Sequence, residues 1–131
     1  MLTLTEILII LGFHWFADFI MQDEKWALGK SKNWDDLLTH TITYSLLWLI
    51  PITIGGLGFN LWSPIMMWAI PITFVCHTIT DYITSREVSK KFEKKEYGTS
   101  IPNTGGFSII GFDQYLHYIQ LFLTYAWLKS L

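Results

Sequence analysis

Histidine, aspartate and tyrosine side chains recur at a spacing of four residues in four separate apolar stretches of this sequence. In an α-helix, that spacing places both members of a pair on one face. The four pairs are His14 with Asp18, His40 with Tyr44, His77 with Asp81, and Asp113 with His117. They include all four histidines of the chain. Antiparallel helices would bring the pairs to one level, so the pattern predicts a single polar layer.

A divalent metal ion would stabilise such a layer. Imidazole and carboxylate groups are common protein ligands of Zn²⁺ and Mn²⁺, and ionisable groups without partners are costly to bury. We expect zinc or manganese, and the donors are numerous enough for two ions. The predicted metal ligands are His14, Asp18, His40, His77, Asp81, Asp113 and His117.

Other polar residues have predicted roles around this layer. His40, as a further ligand or a general base, and Tyr44 are the candidate catalytic groups. Gln22 and Gln114 are predicted to orient the ligands through hydrogen bonds. Lys30 and Lys32 are predicted to hold an anionic headgroup or a phosphate.

The four apolar stretches are predicted to be transmembrane helices, because each could cross about 30 Å of hydrocarbon. They cover residues 4–22, 37–54, 61–84 and 107–128. The 51% hydrophobic content of the chain supports this prediction. The expected fold is all-α: one integral membrane domain over residues 1–131, folded as a four-helix up-down bundle.

The distribution of positive charge predicts an orientation. Eight of the nine Lys and Arg residues fall in the loops at 23–36 and 85–106. By the positive-inside rule, these loops are cytoplasmic and both termini lie outside a bacterial inner membrane. The expected partners are the lipid bilayer and a second copy of the chain. The net charge of -2 excludes a broad basic face for nucleic acid.

Three motifs carry a family resemblance. They are H-W-x-A-D-F-x-x-Q at residues 14–22, H-x-x-x-D-Y at 77–82 and F-D-Q-x-x-H at 112–117. Together with the lysines that precede His40, they resemble an uncharacterised family of small bacterial and phage membrane proteins, the domain of unknown function 3307. The resemblance implies four helices and these sites, but no reaction. More distantly, the type of site is similar to that of membrane-bound metal-dependent hydrolases.

The leading functional hypothesis is a membrane-embedded metal-dependent hydrolase. It would act from the cytoplasmic side on a lipid or phosphate-ester type substrate, since a bound metal lowers the pKa of water toward neutrality. One alternative is a proton or divalent-cation transport or relay protein. Another is a non-catalytic membrane interaction protein with a structural metal or a hydrogen-bonded His/Asp cluster.

Overall fold

The described elements of this chain are all helical. A computed structural model describes residues 1–55, 64–98 and 100–131. A π-helical turn at Phe16–Ile20 follows the first helix, and a 3₁₀ turn at Pro64–Trp68 precedes the fifth. The six α-helices are α1 (Leu4–Trp15), α2 (Glu24–Gly29), α3 (Trp34–Leu47), α4 (Leu49–Thr53), α5 (Ala69–Glu93) and α6 (Gly106–Leu128).

Polar side chains cap the first three helices. The Thr3 hydroxyl accepts from the backbone N–H of Glu6, whose carboxylate accepts from the Thr3 N–H in return. Asp23 and Asn33 begin α2 and α3 in the same manner, by accepting from backbone N–H groups. These caps satisfy N–H groups that have no partner within the helix, so the sequence itself determines where the helices begin.

The longer helices pack against each other in antiparallel directions. Between α3 and α5, the Trp34 ring stacks on Tyr82 and the Tyr44 ring stacks on His77, so residue numbers rise along one helix as they fall along the other. Between α5 and α6, Thr73 contacts Gln120, whereas Thr84 contacts Asp113. Helix α1 also packs on α6. Their inward faces therefore share one interior.

That interior is divided into levels along the helix axes. An apolar core occupies one end, and its members are Ile10, Ala17, Tyr44, Trp48, Ile52, Met66, Ala69, Leu121, Tyr125 and Leu128. The histidines and aspartates form the next level, one or two helical turns away. A pocket between α2, α5 and α6 lies beyond them. The polar residues are thus buried between an apolar core and a pocket.

The core makes a direct prediction for stability. Leu121 is fully buried, so Leu121→Ala should lower the free energy of unfolding by about 2–5 kcal/mol through lost contacts and a residual cavity. Leu123, two residues along the same helix, is 66% exposed. Leu123→Ala should therefore change the free energy of unfolding by no more than about 0.5 kcal/mol. Denaturant titration of both variants measures the difference. Equal losses would contradict the placement of this core.

An ion pair joins the two ends of the chain. Lys129 donates to the carboxylate of Glu6. Burial raises the pKa of this carboxyl, but the contacts with Lys129 and Thr3 outweigh burial and lower the pKa below its usual 4.5. A lowered folded-state pKa contributes stability above about pH 4.5, and this contribution is lost as the pH falls through the folded-state value.

Glu6→Gln should therefore destabilise the chain by about 0.5–1 kcal/mol at pH 7, because glutamine keeps the cap but loses the charge. The difference from wild type should vanish when the pH falls below the folded-state pKa of Glu6. Denaturant titrations at several pH values test this. A difference that persists unchanged in acid would show that the charge of Glu6 is not its cause.

The all-helical class is confirmed, whereas the transmembrane prediction is wrong. Among the described residues, no helix is both long enough and apolar enough to cross a membrane. Helices α1 and α3 have 12 and 14 residues, whereas a crossing takes roughly 20. Helices α5 and α6, with 25 and 23 residues, are long enough but not apolar enough. The same finding overturns the predicted inner-membrane placement and the orientation derived from it.

Other predictions about the fold are not tested by these helices. The single domain over residues 1–131 and the four-helix up-down bundle stay predictions. The predicted start of the third apolar stretch, at 61–63, lies outside the described residues. The predicted loop at 23–36 contains α2 and the start of α3. The predicted loop at 85–106 contains about the last third of α5, which continues to Glu93.

Many large apolar side chains lie on the outer faces of the helices. Trp15 on α1, Ile79 on α5 and Trp127 on α6 are each more than half exposed. The buried core therefore accounts for only part of the apolar content of the chain.

Candidate metal centre

Four buried donor atoms from α3, α5 and the π-helical turn approach each other closely. They are His40 Nε2, His77 Nε2, Asp18 Oδ1 and Asp81 Oδ2. His40 Nε2 lies 3.1 Å from His77 Nε2 and 3.2 Å from each of the two carboxylate oxygens. His77 Nε2 lies 3.6 Å from the same two oxygens. The four residues are at most 3% exposed.

Five of the six separations among these atoms, at 3.1–3.6 Å, are close to the edge length of a zinc coordination tetrahedron, and we call this set of four atoms the tetrahedron. Ligand atoms at about 2.0–2.1 Å from a tetrahedral ion lie about 3.3–3.4 Å apart. The Oδ1 atom of Asp18 is buried and accepts no hydrogen bond from the described residues, although both imidazole nitrogens are near it. A buried carboxylate oxygen without a hydrogen bond is costly. A cation at the centre of the four atoms would satisfy it.

The remaining donors lie on the other side of the two aspartates. His117 Nε2 is 3.2 Å from Asp81 Oδ1 and 3.4 Å from Asp113 Oδ2. Three sets of donors among the described residues are close enough to hold a metal ion: Asp18 with His40 and His77, His77 with Asp81 and His117, and Asp18 with Asp113 and His117. The buried His/Asp groups could thus hold a metal ion, and six of the seven predicted ligands belong to these sets.

His14 belongs to none of these three sets. Its Nδ1 lies 2.7 Å from the Tyr44 hydroxyl and its Nε2 lies 2.7 Å from Gln114 Oε1. An amide oxygen only accepts, so His14 Nε2 carries the proton and Nδ1 accepts from Tyr44. Both nitrogens are thus engaged away from the tetrahedron. His14 lies in α1, whereas Asp18 lies within the π-helical turn that starts at Phe16, and such turns often occur at functional sites.

Gln114 ties His14 to the carboxylates. Its amide nitrogen donates to Asp18 Oδ2 and to Asp113 Oδ2, each at 3.1 Å. The sequence predicts an orienting role for Gln114, and these contacts place it where it would perform one.

Aromatic stacking holds the His77 ring in place. The ring lies between Tyr44 and His117, with centroid distances of 3.9 and 4.1 Å and interplanar angles of 17° and 21°. Tyr44 is fully buried and is not among the residues that line the pocket in the described part of the chain. Its position is that of a residue that orients histidines.

Lys30 is the cation nearest to the cluster among the described residues. Its Nζ donates to Asp81 Oδ2 at 2.8 Å, and its side chain is 17% exposed. Gly29 permits this position, because a Cβ atom there would lie 1.8 Å from Asp36 Oδ2 on α3. The tight packing of α2 on α3 thus directs Lys30 toward the carboxylates.

The cluster contains its own positive charges. Burial lowers the pKa of His117, but hydrogen bonds with Asp113 and Asp81 outweigh burial and raise this pKa to about 10. Burial raises the pKa of the Asp81 carboxyl, yet His77 and Lys30 hold it well below its usual value. The Asp81 carboxylate is therefore charged, and protonated His117 and Lys30 partly balance its charge.

A pocket of about 380 Å³ opens beside these carboxylates. Its polar lining contains the carboxylates of Asp18 and Asp113 and most of the predicted auxiliary residues, namely Gln22, Lys30, Lys32 and Gln114. The buried residues His40, His77, Asp81 and His117 do not line it. The cluster therefore meets the pocket through two of its three aspartates.

The sequence prediction missed Thr84. Its hydroxyl donates to Asp113 Oδ1 at 2.5 Å and the residue also lines the pocket. Thr84 lies three residues after Asp81 and seven after His77, which places it on the same face of α5. Extending that helical periodicity by one turn would have identified it.

The comparisons with known proteins identify a family. A family model described as a protein of unknown function (DUF3307) matches residues 4–131. No curated protein and no solved structure matches the chain. Because the match extends over nearly the whole sequence, the chain belongs to the DUF3307 family.

Proposed function

We propose that this chain is a zinc-dependent hydrolase of phosphate-ester type substrates that bind in the pocket beside the His/Asp cluster. The observation that carries the proposal is a set of four buried donor atoms beside a pocket that contains two lysines. The donors are two imidazole nitrogens 3.1 Å apart and two carboxylate oxygens 3.2–3.6 Å from them. Zinc is favoured over manganese because two imidazoles and two carboxylates at this spacing suit a four-coordinate ion, whereas Mn²⁺ favours octahedral oxygen ligands.

The pocket favours an anionic group that is attached to an apolar one. Lys30 and Lys32 supply positive charge, and a lysine ammonium is a common phosphate ligand. Much of the remaining lining is apolar, with Phe19, Leu28, Val88, Phe92 and Ile110 among the residues. A phosphate ester of an alkyl or aryl alcohol combines both chemistries.

The proposed reaction is hydrolysis of the ester bond. The oxygen of a water molecule attacks phosphorus, the bond between phosphorus and the ester oxygen breaks, and the alcohol leaves with a proton. Zinc bound to the cluster with one position open to water would supply an activated water at neutral pH. Lys30 and Lys32 would reduce the negative charge of the phosphate as the oxygen attacks. Asp113, held by Thr84, would present a carboxylate at the pocket wall to accept the proton of the water.

A structural metal is the second candidate function. All four donors of the tetrahedron come from the protein, and structural zinc sites characteristically have no open position. Such an ion would stabilise the fold without taking part in a reaction.

The experiment that separates the two candidates is hydrolysis by the zinc-loaded chain. We expect alkyl or aryl phosphate esters to be hydrolysed, with a rate that is lost when zinc is removed by a chelator and restored when zinc is added back. If the chain binds zinc, is stabilised by it, and hydrolyses no ester in a panel of monoesters and diesters, the structural candidate is favoured and the hydrolase is refuted.

The lysines provide a sharper version of the same test. Lys32→Ala should raise KM for the ester by about tenfold with a smaller change in kcat, because the ammonium contributes to binding of the charged group. Lys25→Ala is the matched control, since Lys25 is 79% exposed in its side chain and lies outside the pocket lining. Equal effects of the two substitutions would contradict phosphate binding by Lys32.

A further inference from the structure

Asp18 extends its two carboxylate oxygens toward different groups. Its Oδ1 faces His40 and His77 within the tetrahedron. Its Oδ2 accepts from the amide nitrogen of Gln114, which also donates to Asp113. One oxygen therefore belongs to the tetrahedron, and the other belongs to the side of the cluster that contains Asp113.

The two carboxylate oxygens of Asp81 also face different groups. Its Oδ2 lies near His40 and His77, at 3.2 and 3.6 Å. Its Oδ1 lies 3.2 Å from His117 Nε2, outside the tetrahedron. Two carboxylates thus extend from the tetrahedron toward a second group of donors, and bridging ligands of a two-metal site have this arrangement. Ions in such sites are about 3.5–4 Å apart.

We infer that the cluster binds two divalent cations at positions of unequal affinity, bridged by Asp18 and Asp81. The first position is the closed tetrahedron that His40 and His77 complete. The second is bounded by the two bridging carboxylates together with His117 and Asp113. The inference rests on the hydrolase proposed above and assigns the reacting position to the second ion, because Asp113 is a pocket-lining residue.

The charge of the cluster explains why the two positions should differ in affinity for a cation. Three aspartates and Lys30 give the cluster a net charge of about -2 when its histidines are neutral, so one divalent cation neutralises it. A second cation leaves about two uncompensated positive charges in a buried site. A phosphate group in the pocket would offset them. We therefore expect the second ion and the anionic substrate to bind cooperatively.

The test is a zinc titration of the metal-free chain by calorimetry, with elemental analysis of the product. We expect two steps of about one ion each, the second at least tenfold weaker. Inorganic phosphate should tighten the second step by about tenfold, within the usual range of coupling between sites, and leave the first unchanged. A single step of one ion, both with and without phosphate, would overturn the inference.

Variants test whether the second binding step belongs to the position that contains Asp113. Asp113→Asn should abolish it and retain the first. Thr84→Val removes only the hydroxyl that orients Asp113, and should weaken the second step about 10–100-fold. Asp35→Asn, an exposed aspartate at the start of α3, is the charge-matched control and should retain both steps. Loss of the first step in Asp113→Asn while its helix content is unchanged would contradict the assignment.

Failure of the two-ion inference can be distinguished from failure of the proposed hydrolase activity. A chain that binds one ion and hydrolyses esters would refute the two-ion inference and leave the proposed function standing. A chain that binds two ions in the expected order but hydrolyses none would retain the two positions and refute the reaction and the catalytic role of the second ion.

Discussion

Replacing Asp81 with asparagine is expected to weaken zinc binding by at least about 100-fold. The Oδ2 atom of Asp81 is one corner of the tetrahedron, and its Oδ1 contacts His117. Loss of a group that merely orients a ligand typically costs 10–100-fold in metal affinity, so loss of a ligand itself should cost more. Asparagine has nearly the same shape, which limits any change in packing. Competition with a zinc-binding dye measures the affinity.

The control for this prediction is Asp35→Asn. That substitution removes the same charge from an exposed position on α3 and should leave zinc affinity within about twofold of wild type. Ester hydrolysis by Asp81→Asn should fall with zinc occupancy and should not recover at ordinary zinc concentrations. If Asp81→Asn binds zinc with wild-type affinity, Asp81 is not a zinc ligand.

The second large effect is expected in the metal-free chain when Lys30 is replaced with methionine. Lys30 Nζ is 2.8 Å from Asp81 Oδ2, and both side chains are largely buried. Removing one partner of a buried ion pair leaves an uncompensated charge and typically costs about 3–5 kcal/mol of stability. Methionine keeps much of the apolar length of the side chain. Denaturant titration of the chelator-treated protein measures the loss.

A second lysine-aspartate pair provides the matched control. Lys25 Nζ is 3.9 Å from Asp36 Oδ1, and the lysine side chain is 79% exposed. Lys25→Met should therefore cost no more than about 1 kcal/mol. Zinc should reduce the cost of Lys30→Met, because a bound cation also compensates Asp81. If Lys30→Met and Lys25→Met lose equal stability without metal, Lys30 does not compensate the negative charge of the buried carboxylates.

Local helix geometry explains how much of the site was visible in the sequence. His77 with Asp81, and Asp113 with His117, are separated by one helical turn, and each pair lies together on the interior face of a single uninterrupted helix. Six of the seven predicted metal ligands are close together in these donor sets. The exception is His14, whose nitrogens contact Tyr44 and Gln114. Capping residues such as Thr3 and Asn33 likewise determine the starts of α1 and α3 through contacts within a few residues.

Other features required knowledge of the surroundings. Residues 4–22 have the composition of one long apolar helix, but α1 ends at Trp15 and a π-helical turn follows. Tyr44 and Gln114, which come from other helices, contact both nitrogens of His14 outside the tetrahedron. The membrane prediction was wrong because it rested on the average composition of each stretch. It did not take account of where regular helix ends or of how polar α5 and α6 are.

The sequence by itself determined the all-helical class, the capped helix starts and the interior face on which each histidine and aspartate lies, because these depend on interactions within one or two turns of chain. Only the tertiary structure decided which oxygen of Asp18 or Asp81 faces which imidazole, and that Lys30 reaches Asp81 from 51 residues away. Those choices depend on the packing of separate helices, because distances of about 3 Å between donor atoms are set by side-chain contacts across the interior.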